Sequence, residues 1–443
     1  MFVVNRHAKY FQNSLRLLPY QYTPTDTSRL ALAFFSISAL DLINCLPNDD
    51  NGIDTLIKKE EVKQWIDWVY DANLVPTKDA FRCAPASAVS VSTVKSDTNP
   101  DPWNYDVGHT AGTYFALGIL LILRDDLSRL DRPGMMKWLS KCQRQDGSFA
   151  TGVLESKFNF DGLTHLFGER DLRFGYCSNA ARWIIGGDIL SKQGLAPDIN
   201  IDTAKEYIRS CISYDGGIGM GSGTEGHAGL TYCAVGTLNL LEPNGLQNAL
   251  SSDSVEMLLD WLLMHQVYSP PAPNDSESES DEEDEVQLPT PPAIYFGKHG
   301  DPAGFNGRVN KPADTCYSFW TGASLEMIPS RSADSITGSL GLTDVLGNVI
   351  FLLTQTQNSM IGGFAKAPGA MPDLMHAYLG IAALAMCADV VREHGGVDKF
   401  LKGSDMGKDY LESIMVLKPI DGPLCIAMSA KHHAEKLRKS WEK

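Results

Sequence analysis

Apolar residues along this chain recur mostly at the three- and four-residue stride of an amphipathic helix, and strand-like alternation is scarce. Residues 6–18 form a first amphipathic segment, closed by Pro19, whose ring and missing N–H oppose a continuing helix. Residues 27–46 predict a second helix, with Thr27 or Ser28 able to cap it and Leu30, Phe34, Ile37 and Asp41 following a helical stride. Residues 60–70 carry Trp65, Trp68 and Val69 in a third. The periodicity then fails, and residues 84–103, rich in Ser, Pro and Thr, read as loop.

Beyond that loop one arrangement recurs. A helix ends in a Gln- or Gly-containing turn, and a second helix opens with a block of small, polar and aromatic residues. The turns are residues 143–149, 214–218, 305–307 and 357–364. The openings are HTAGTYFAL (109–117), RFGYCSNAA (173–181), HAGLTYCAV (227–235), DTCYSFWTGA (314–323) and DLMHAYLGIAA (373–383). Tyr114, Tyr176, Tyr232, Tyr317 and Tyr378 mark them at intervals of 62, 56, 85 and 61 residues. The long interval contains an acidic stretch, and without it the period is about 60, which means an α-helical repeat array whose neighbours share one core. The second helices are the small, apolar ones and predict an inner layer; the first, richer in Lys and Glu, predict an outer one. The expected fold is all-α: a toroid, or α/α barrel, of five or six helix pairs with the inner-helix N-termini round one mouth. The whole chain, 1–443, reads as one such domain.

Composition alters this picture little. The chain has 443 residues, 43% of them hydrophobic, enough for a large core. A net charge of −16 argues against nucleic acid or an anionic membrane surface as a partner. Half of it comes from eight acids within residues 275–285. The surrounding segment 269–292, SPPAPNDSESESDEEDEVQLPTPP, is Pro-rich and free of aromatics, and predicts a disordered, solvated insert within one repeat. The nine cysteines are scattered and several lie in apolar runs, which predicts free buried thiols in a reducing, cytoplasmic compartment. The first residues lack a signal-peptide pattern, and no apolar run is expected to reach the roughly 18 residues of a membrane span.

The candidate chemistry falls at the inner-helix openings. Asp314 and Cys316 start a helix whose stripe runs through Cys316, Phe319, Trp320, Ala323 and Met327 and stops before Pro329. Asp314 is a good N-cap, and the helix dipole favours a thiolate in the first turn. Alone, this is a capped helix with a buried cysteine; alone, His376 is a core histidine beside Leu379, Gly380, Ala383 and Cys387. A closed ring would bring Asp314, Cys316 and His376 together as three zinc ligands, leaving the fourth position that a catalytic zinc keeps open. A second set is basic: His227, Arg308, Lys311 and Lys366, joined by the Tyr317 hydroxyl. Scattered, these are solvated surface cations; gathered at helix N-termini, they suit an anion such as a diphosphate. A third set, Ala31, Phe34, Phe35, Tyr176, Gly229, Trp320 and Leu379, is explained equally by core packing and by a cavity for a long hydrocarbon. The three together suggest prenyl transfer to a thiol, with the metal lowering the thiol pKa and the clamp stabilising the leaving diphosphate.

The stretches GFNGRVNKPADTCYSFW, YDGGIGMGSGTEGHAGLTYCAV and GGFAKAPGAMPDLMHAYLGIAAL resemble the β subunits of protein prenyltransferases. The similarity runs over nearly the whole chain, from RHAKYFQ and TSRLALAFF through YDVGHTAGTY and DDLSRL. The resemblance implies an α/α barrel that works as a heterodimer with a helical-hairpin α subunit. It implies Asp314, Cys316 and His376 as ligands of one zinc ion, and His227, Arg308, Lys311 and Tyr317 as diphosphate contacts. Arg173, Tyr176, Cys233 and Trp320 would lie along the isoprenoid, and His109, Ala111, Phe174 and Met375 near the last residue of the peptide substrate.

Three positions bear on the subtype, and all three are read through the resemblance. Lys366 stands where farnesyl-type members have an aspartate that helps to bind magnesium; a lysine supplies the positive charge itself, so magnesium is expected to be dispensable. Ala31 stands where those members carry a tryptophan that shortens the lipid pocket, and Leu379 replaces a larger aromatic residue. The chain is thus most similar to the geranylgeranyl type I members. That implies transfer of a C20 group from geranylgeranyl diphosphate to the cysteine of a C-terminal C-a-a-X sequence, X mainly Leu, on small GTPases of the Rho-family kind. A farnesyl-type β subunit is the alternative. A terpene cyclase on the same barrel needs Asp-x-Asp-Asp or Asp-Asp-x-x-Asp; neither occurs, since DDLSR at 125–129 lacks the last acid. A non-catalytic helical-repeat binder would hold no zinc. Segments 155–168 and 332–344 are extra to the family pattern and carry no legible role.

Overall fold

In the computed structural model, residues 1–47, 56–85, 107–155, 164–268, 298, 300–329 and 337–442 are described. Twelve helices form six outer–inner pairs. They are α1 (Val4–Arg16) with α2 (Arg29–Leu42), α3 (Lys59–Asn73) with α4 (Thr110–Ile122), α5 (Arg132–Cys142) with α6 (Leu172–Ile184), and α7 (Ile201–Ser210) with α8 (Ala228–Leu241). The fifth pair is α9 (Ser252–Leu263) with α10 (Thr315–Met327). The sixth is α11 (Val345–Ile350, continued by a π-helical stretch, Phe351–Thr356) with α12 (Leu374–Glu393). A further helix, α13 (Met428–Trp441), follows.

The layers follow from composition. The outer helix α1 buries His7, Ala8 and Phe11 on one face and leaves Arg6, Lys9, Asn13 and Arg16 in solvent. Inner helices such as α4 and α8 are buried on almost every side, as a helix that is apolar all round requires. Each inner helix packs on the next, and α12 packs on α2, so the ring closes as an α/α toroid.

The turns explain the closure. Short antiparallel bridges, Leu74 with Phe81, Gln143 with Phe149, Ile212 with Ile218 and Gln357 with Phe364, join outer to inner helices. Gly147, Gly216 and Gly362 in these turns have positive φ. A Cβ on them would fall 1.9 Å from Thr203 O, 2.6 Å from Met257 O and 2.4 Å from Arg6 O. Each such glycine therefore abuts the next outer helix, and the last one abuts α1. There His7, stacked between Phe2 and Phe364, accepts from Gly363 N at 2.9 Å and bonds Gln357.

Among the described residues strands are few and short. β1 (Gly152–Glu155) pairs with β2 (Thr164–Phe167), β3 (Gln266–Tyr268) with β4 (Ala303–Phe305), and β5 (Ile420–Asp421) with β6 (Ile426–Ala427). The first hairpin occupies the extra segment that begins at residue 155. The second flanks the acidic insert 269–292, which lies outside the described residues, as do 86–103 of the expected loop and 332–336 of the other extra segment.

Several expectations need correction. The helix expected over 27–46 runs only from Arg29 to Leu42, after a 3₁₀ stretch (Tyr20–Ser28), and Ser28 makes no side-chain capping bond. It is the sixth inner helix. The repeat marker in α10 is Phe319, not Tyr317: Tyr114, Tyr176, Tyr232, Phe319 and Tyr378 each stand five residues after their N-cap, whereas Tyr317 stands three after Asp314. Among the described residues one helix, Leu374–Glu393, is long and apolar enough by composition to cross a membrane, and 89% of its apolar window is buried inside the protein. Its hydropathy is that of a barrel's inner wall. All nine cysteines are free thiols, as expected, and none is exposed.

Candidate metal and diphosphate site

Five inner helices open on one plan. The side chains of His109, Asp171, His227, Asp314 and Asp373 accept hydrogen bonds from backbone N–H groups of their own first turns, satisfying donors that a helix start leaves orphaned. At His109 and His227 the acceptor is Nδ1, bonded by Ala111 N and by Gly229 N at 3.1 Å each. That sets the tautomer: Nε2 carries the proton in the neutral ring and is left as a donor. Burial pulls His109 down to about 4; burial and Arg308 lower His227. Both are therefore neutral donors near pH 7.

Asp314, Cys316 and His376 meet where α10 and α12 begin. Their ligand atoms all lie within 4.8 Å of one another and all three residues are buried; among the described residues no other group of three or more His, Cys, Asp or Glu does this. Asp314 Oδ1 caps α10 through Cys316 N at 2.9 Å and lies 3.3 Å from His376 Nε2. The openings are tied together through Thr315 N, which donates to Lys366 O at 3.0 Å, and Thr315 Oγ1, which donates to Ala365 O at 2.6 Å. Asp373 completes the arrangement: Oδ1 accepts from Met375 N and His376 N, and Oδ2 sits 2.5 Å from His376 Nδ1. The sequence reading missed Asp373. Its signal was an N-cap acid three residues before a candidate metal-binding histidine, which aligns and polarises the ring.

The electrostatics of the three groups are coupled. Burial alone would lower His376, but hydrogen bonds to Asp314 and Asp373 outweigh it and hold the imidazole up at about 9. Burial would likewise raise Asp314, yet its bonds to His376 and Cys316 bring it below the ordinary aspartate value. Burial and the adjacent Asp314 carboxylate push the Cys316 thiol far up. A thiol raised by the Asp314 carboxylate, with an imidazolium between that same carboxylate and Asp373, is the donor set a divalent cation replaces protons on. The three residues fit a metal ion.

Of the basic residues, Lys366 reaches this group directly. Tyr317 Oη lies 3.2 Å from His227 Nε2, and Tyr317 has room because Gly307 sits against its ring, where a Cβ would be 2.0 Å from Cζ. Lys366 Nζ is 3.9 Å from Asp314 Oδ2, Arg308 pairs with Glu225 at 3.7 Å, and Arg308, Lys311 and Lys366 are all exposed. Arg173 is held by Asp171 through Nε at 2.9 Å and by Glu169 at 2.9 Å.

The apolar wall is built in rings. Phe34, Tyr114, Tyr176, Tyr232, Phe319 and Tyr378 pack edge to face or tilted in a near-continuous belt. The next residue on each helix gives Phe35, Phe115, Cys177, Cys233, Trp320 and Leu379. Trp320 and Phe35 are half-buried, as are Ala31, Ala111, Phe174 and Met375 at the openings. His109 meets Phe174 with ring centroids 6.1 Å apart; Met375 lies on α12, with α2 between it and α4. Leu379 is 0% exposed and lies within the wall without presenting surface.

Residues 2–426 match the prenyltransferase alpha-alpha toroid domain family. The chain is 33% identical over 392 residues to the geranylgeranyl transferase type-1 subunit beta of Arabidopsis thaliana, covering 87% of this chain and 85% of that one. It is 31% identical over 417 residues to the protein of the same name from Dictyostelium discoideum, covering 89% and 97%. The farnesyltransferase subunit beta of Pyricularia oryzae is 24% identical, over 86% of this chain and 62% of its own length. The solved structure of Candida albicans protein geranylgeranyltransferase-I complexed with GGPP superposes with a TM-score of 0.72 at 25% identity, covering 99% of both chains. This chain therefore belongs to the prenyltransferase alpha-alpha toroid family, among the geranylgeranyl transferase type-1 beta subunits.

Proposed function

We propose that this chain is the catalytic β subunit of a zinc-dependent protein geranylgeranyltransferase of type I. It transfers a C20 group from geranylgeranyl diphosphate to the cysteine thiol of a C-terminal C-a-a-X sequence, X mainly Leu, on small GTPases such as those of the Rho family. The observation that carries this reading is the buried trio of Asp314, Cys316 and His376, with Lys366 beside Asp314 and the Tyr317 hydroxyl beside His227. The same reading takes residues 1–443 as one barrel domain interrupted by the insert 269–292. It also takes an α subunit as obligate partner and, from the free thiols, the cytoplasm as its location.

The roles follow from the chemistry of each group. Asp314, Cys316 and His376 would hold one zinc ion, which when bound lowers the pKa of an incoming cysteine and keeps it as the nucleophile. Asp373 holds the His376 ring in place. His227 Nε2–H, the Tyr317 hydroxyl, Arg308 and Lys311 bind the diphosphate, and as the C–O bond breaks they stabilise the charge gathering on the leaving group. Lys366, already beside Asp314, adds a fixed positive charge there. Arg173, Tyr176, Cys233, Trp320, Phe35, Ala31 and Leu379 line or back the isoprenoid cavity, and His109, Ala111, Phe174 and Met375 meet the peptide's end. A competition assay decides between C20 and C15 donors: the heterodimer receives both diphosphates in equal amounts with a C-a-a-L peptide, with and without magnesium. C20 transfer without magnesium is expected; preferential farnesylation that requires magnesium overturns the reading.

A further inference from the structure

We infer that the hairpin tip 422–425 positions the prenyl chain, by holding a ring of tyrosines as the floor on which the lipid lies, and so contributes to the choice of chain length. This rests on the lipid-cavity reading above. The tip joins β5 to β6 and enters the barrel from the end opposite the mouth. Lys418 N bonds Leu42 O at the C-terminus of α2, and Gly422 lies beside Ala323 and Glu326, in the C-terminal half of α10.

Four consecutive carbonyls of this tip each accept one buried hydroxyl. Tyr232 donates to Gly422 O, Tyr176 to Pro423 O and Tyr114 to Leu424 O, each at 2.9 Å, and Tyr378 donates to Cys425 O. The donors come from α8, α6, α4 and α12 in turn, so the first three carbonyls follow neighbouring helices and the fourth passes over α2 to α12. The hydroxyls also meet one another, Tyr114 with Tyr176 at 3.2 Å and Tyr176 with Tyr232 at 2.9 Å. The two ring members without a hydroxyl, Phe34 and Phe319, belong to α2 and α10, the helices that no tip carbonyl reaches in this way. A mere stopper needs only apolar contact. Four buried hydroxyls matched one to one with four carbonyls instead fix where each ring lies, since an unpaired member of any pair would be a buried polar group without a partner. The residues that follow these tyrosines on their helices are Phe115, Cys177, Cys233 and Leu379, so a shift of the tip is passed to them through the shared backbone.

The tip is braced from outside the lumen. Asp421 accepts from Leu424 N at 2.9 Å and from Lys431 Nζ of α13 at 2.5 Å, and its side chain is 2% exposed. A Cβ on Gly422 would lie 2.2 Å from Glu326 Oε2, so the backbone there has no room to drift toward α10.

The test uses the zinc-loaded heterodimer carrying Tyr114→Phe, Tyr232→Phe or Lys431→Met, the last of which touches no lumen residue. Kinetics with each diphosphate, a C20-against-C15 competition, the peptide KM, zinc content and the thermal midpoint are read for each. Both tyrosine variants are expected to raise the KM for geranylgeranyl diphosphate about fivefold to tenfold, and to lower the C20:C15 ratio by a similar factor, as the loss of one buried hydrogen bond to the floor would do. Peptide KM and zinc content stay at wild-type values. Lys431→Met is expected to move lipid KM and ratio in the same direction. Variants that melt earlier but keep wild-type lipid KM and C20:C15 ratio overturn the inference, because the tip then serves stability alone. A wild-type heterodimer that transfers neither lipid overturns the proposed function itself, and that is read before any variant.

Discussion

Asp373 uses one oxygen to cap α12 and the other to hold the Nδ1 side of His376. Replacing it with Asn keeps a good N-cap and removes the charge that orients the ring. Asp373→Asn is therefore expected to fold normally and to weaken zinc binding about 10- to 100-fold, the usual scale for an outer-shell partner, in a chelator competition. Wild-type affinity would contradict that role. The metal-free trio also predicts a pH dependence. With His376 held at about 9 and the Cys316 thiol far above its usual value, both carry protons at neutral pH, and a metal ion must displace both. Affinity should then fall about 100-fold for each unit that pH drops below 9, with close to two protons released per ion in calorimetry across buffers of different ionisation heat. Affinity independent of pH between 7 and 8 would show that these groups are not the ligands. The trio was legible in the sequence because a carboxylate, a thiol and an imidazole at equivalent helix openings are an uncommon combination. Asp373 was not, because an N-cap aspartate has a sufficient structural reason to be there.

At the scale of the element, the site is a property of helix starts. N-caps and the second and third helical positions supply the candidate residues His109, Ala111, Arg173, Phe174, His227, Cys316, Tyr317, Met375 and His376, so capping and the proposed chemistry share the same first turns. The turn before α10 shapes one of them. Gly307 is not in the left-handed region, so alanine there meets no backbone strain, but its Cβ would collide with the Tyr317 ring. Gly307→Ala is expected to raise the KM for the prenyl diphosphate about tenfold while leaving the peptide KM unchanged, the signature of a displaced donor at one substrate only. Equal effects on both substrates would point instead to general disruption. The repeat was readable from its turns and openings, yet its register slipped at α10, where a tyrosine two residues off the true position matched the count better than Phe319. The helix over 29–42 was recognised without being placed in the inner layer, since its opening lacks the capping side chain that marks the other five.

For the whole molecule, hydrophobic periodicity announced two layers of helices, and the turn glycines gave the repeat. The closed ring was expected from the aligned openings, but the contacts that make it were not legible, because they join the ends of the ring: α12 on α2, Gly362 against α1, and His7 between Phe2 and Phe364. The tip 422–425 was equally silent, since what it offers the tyrosines is backbone carbonyl, which no side-chain pattern encodes. The packing of α10 on α12 is what brings two helix openings into one metal-binding group, and that is the account's central claim. Cobalt(II) substitution in the heterodimer tests it most directly. The account predicts one ion per chain and a thiolate-to-cobalt absorption that disappears in Cys316→Ala and grows when a C-a-a-L peptide brings a second thiolate to the open position. A band that survives Cys316→Ala, or one that peptide leaves unchanged, would contradict it.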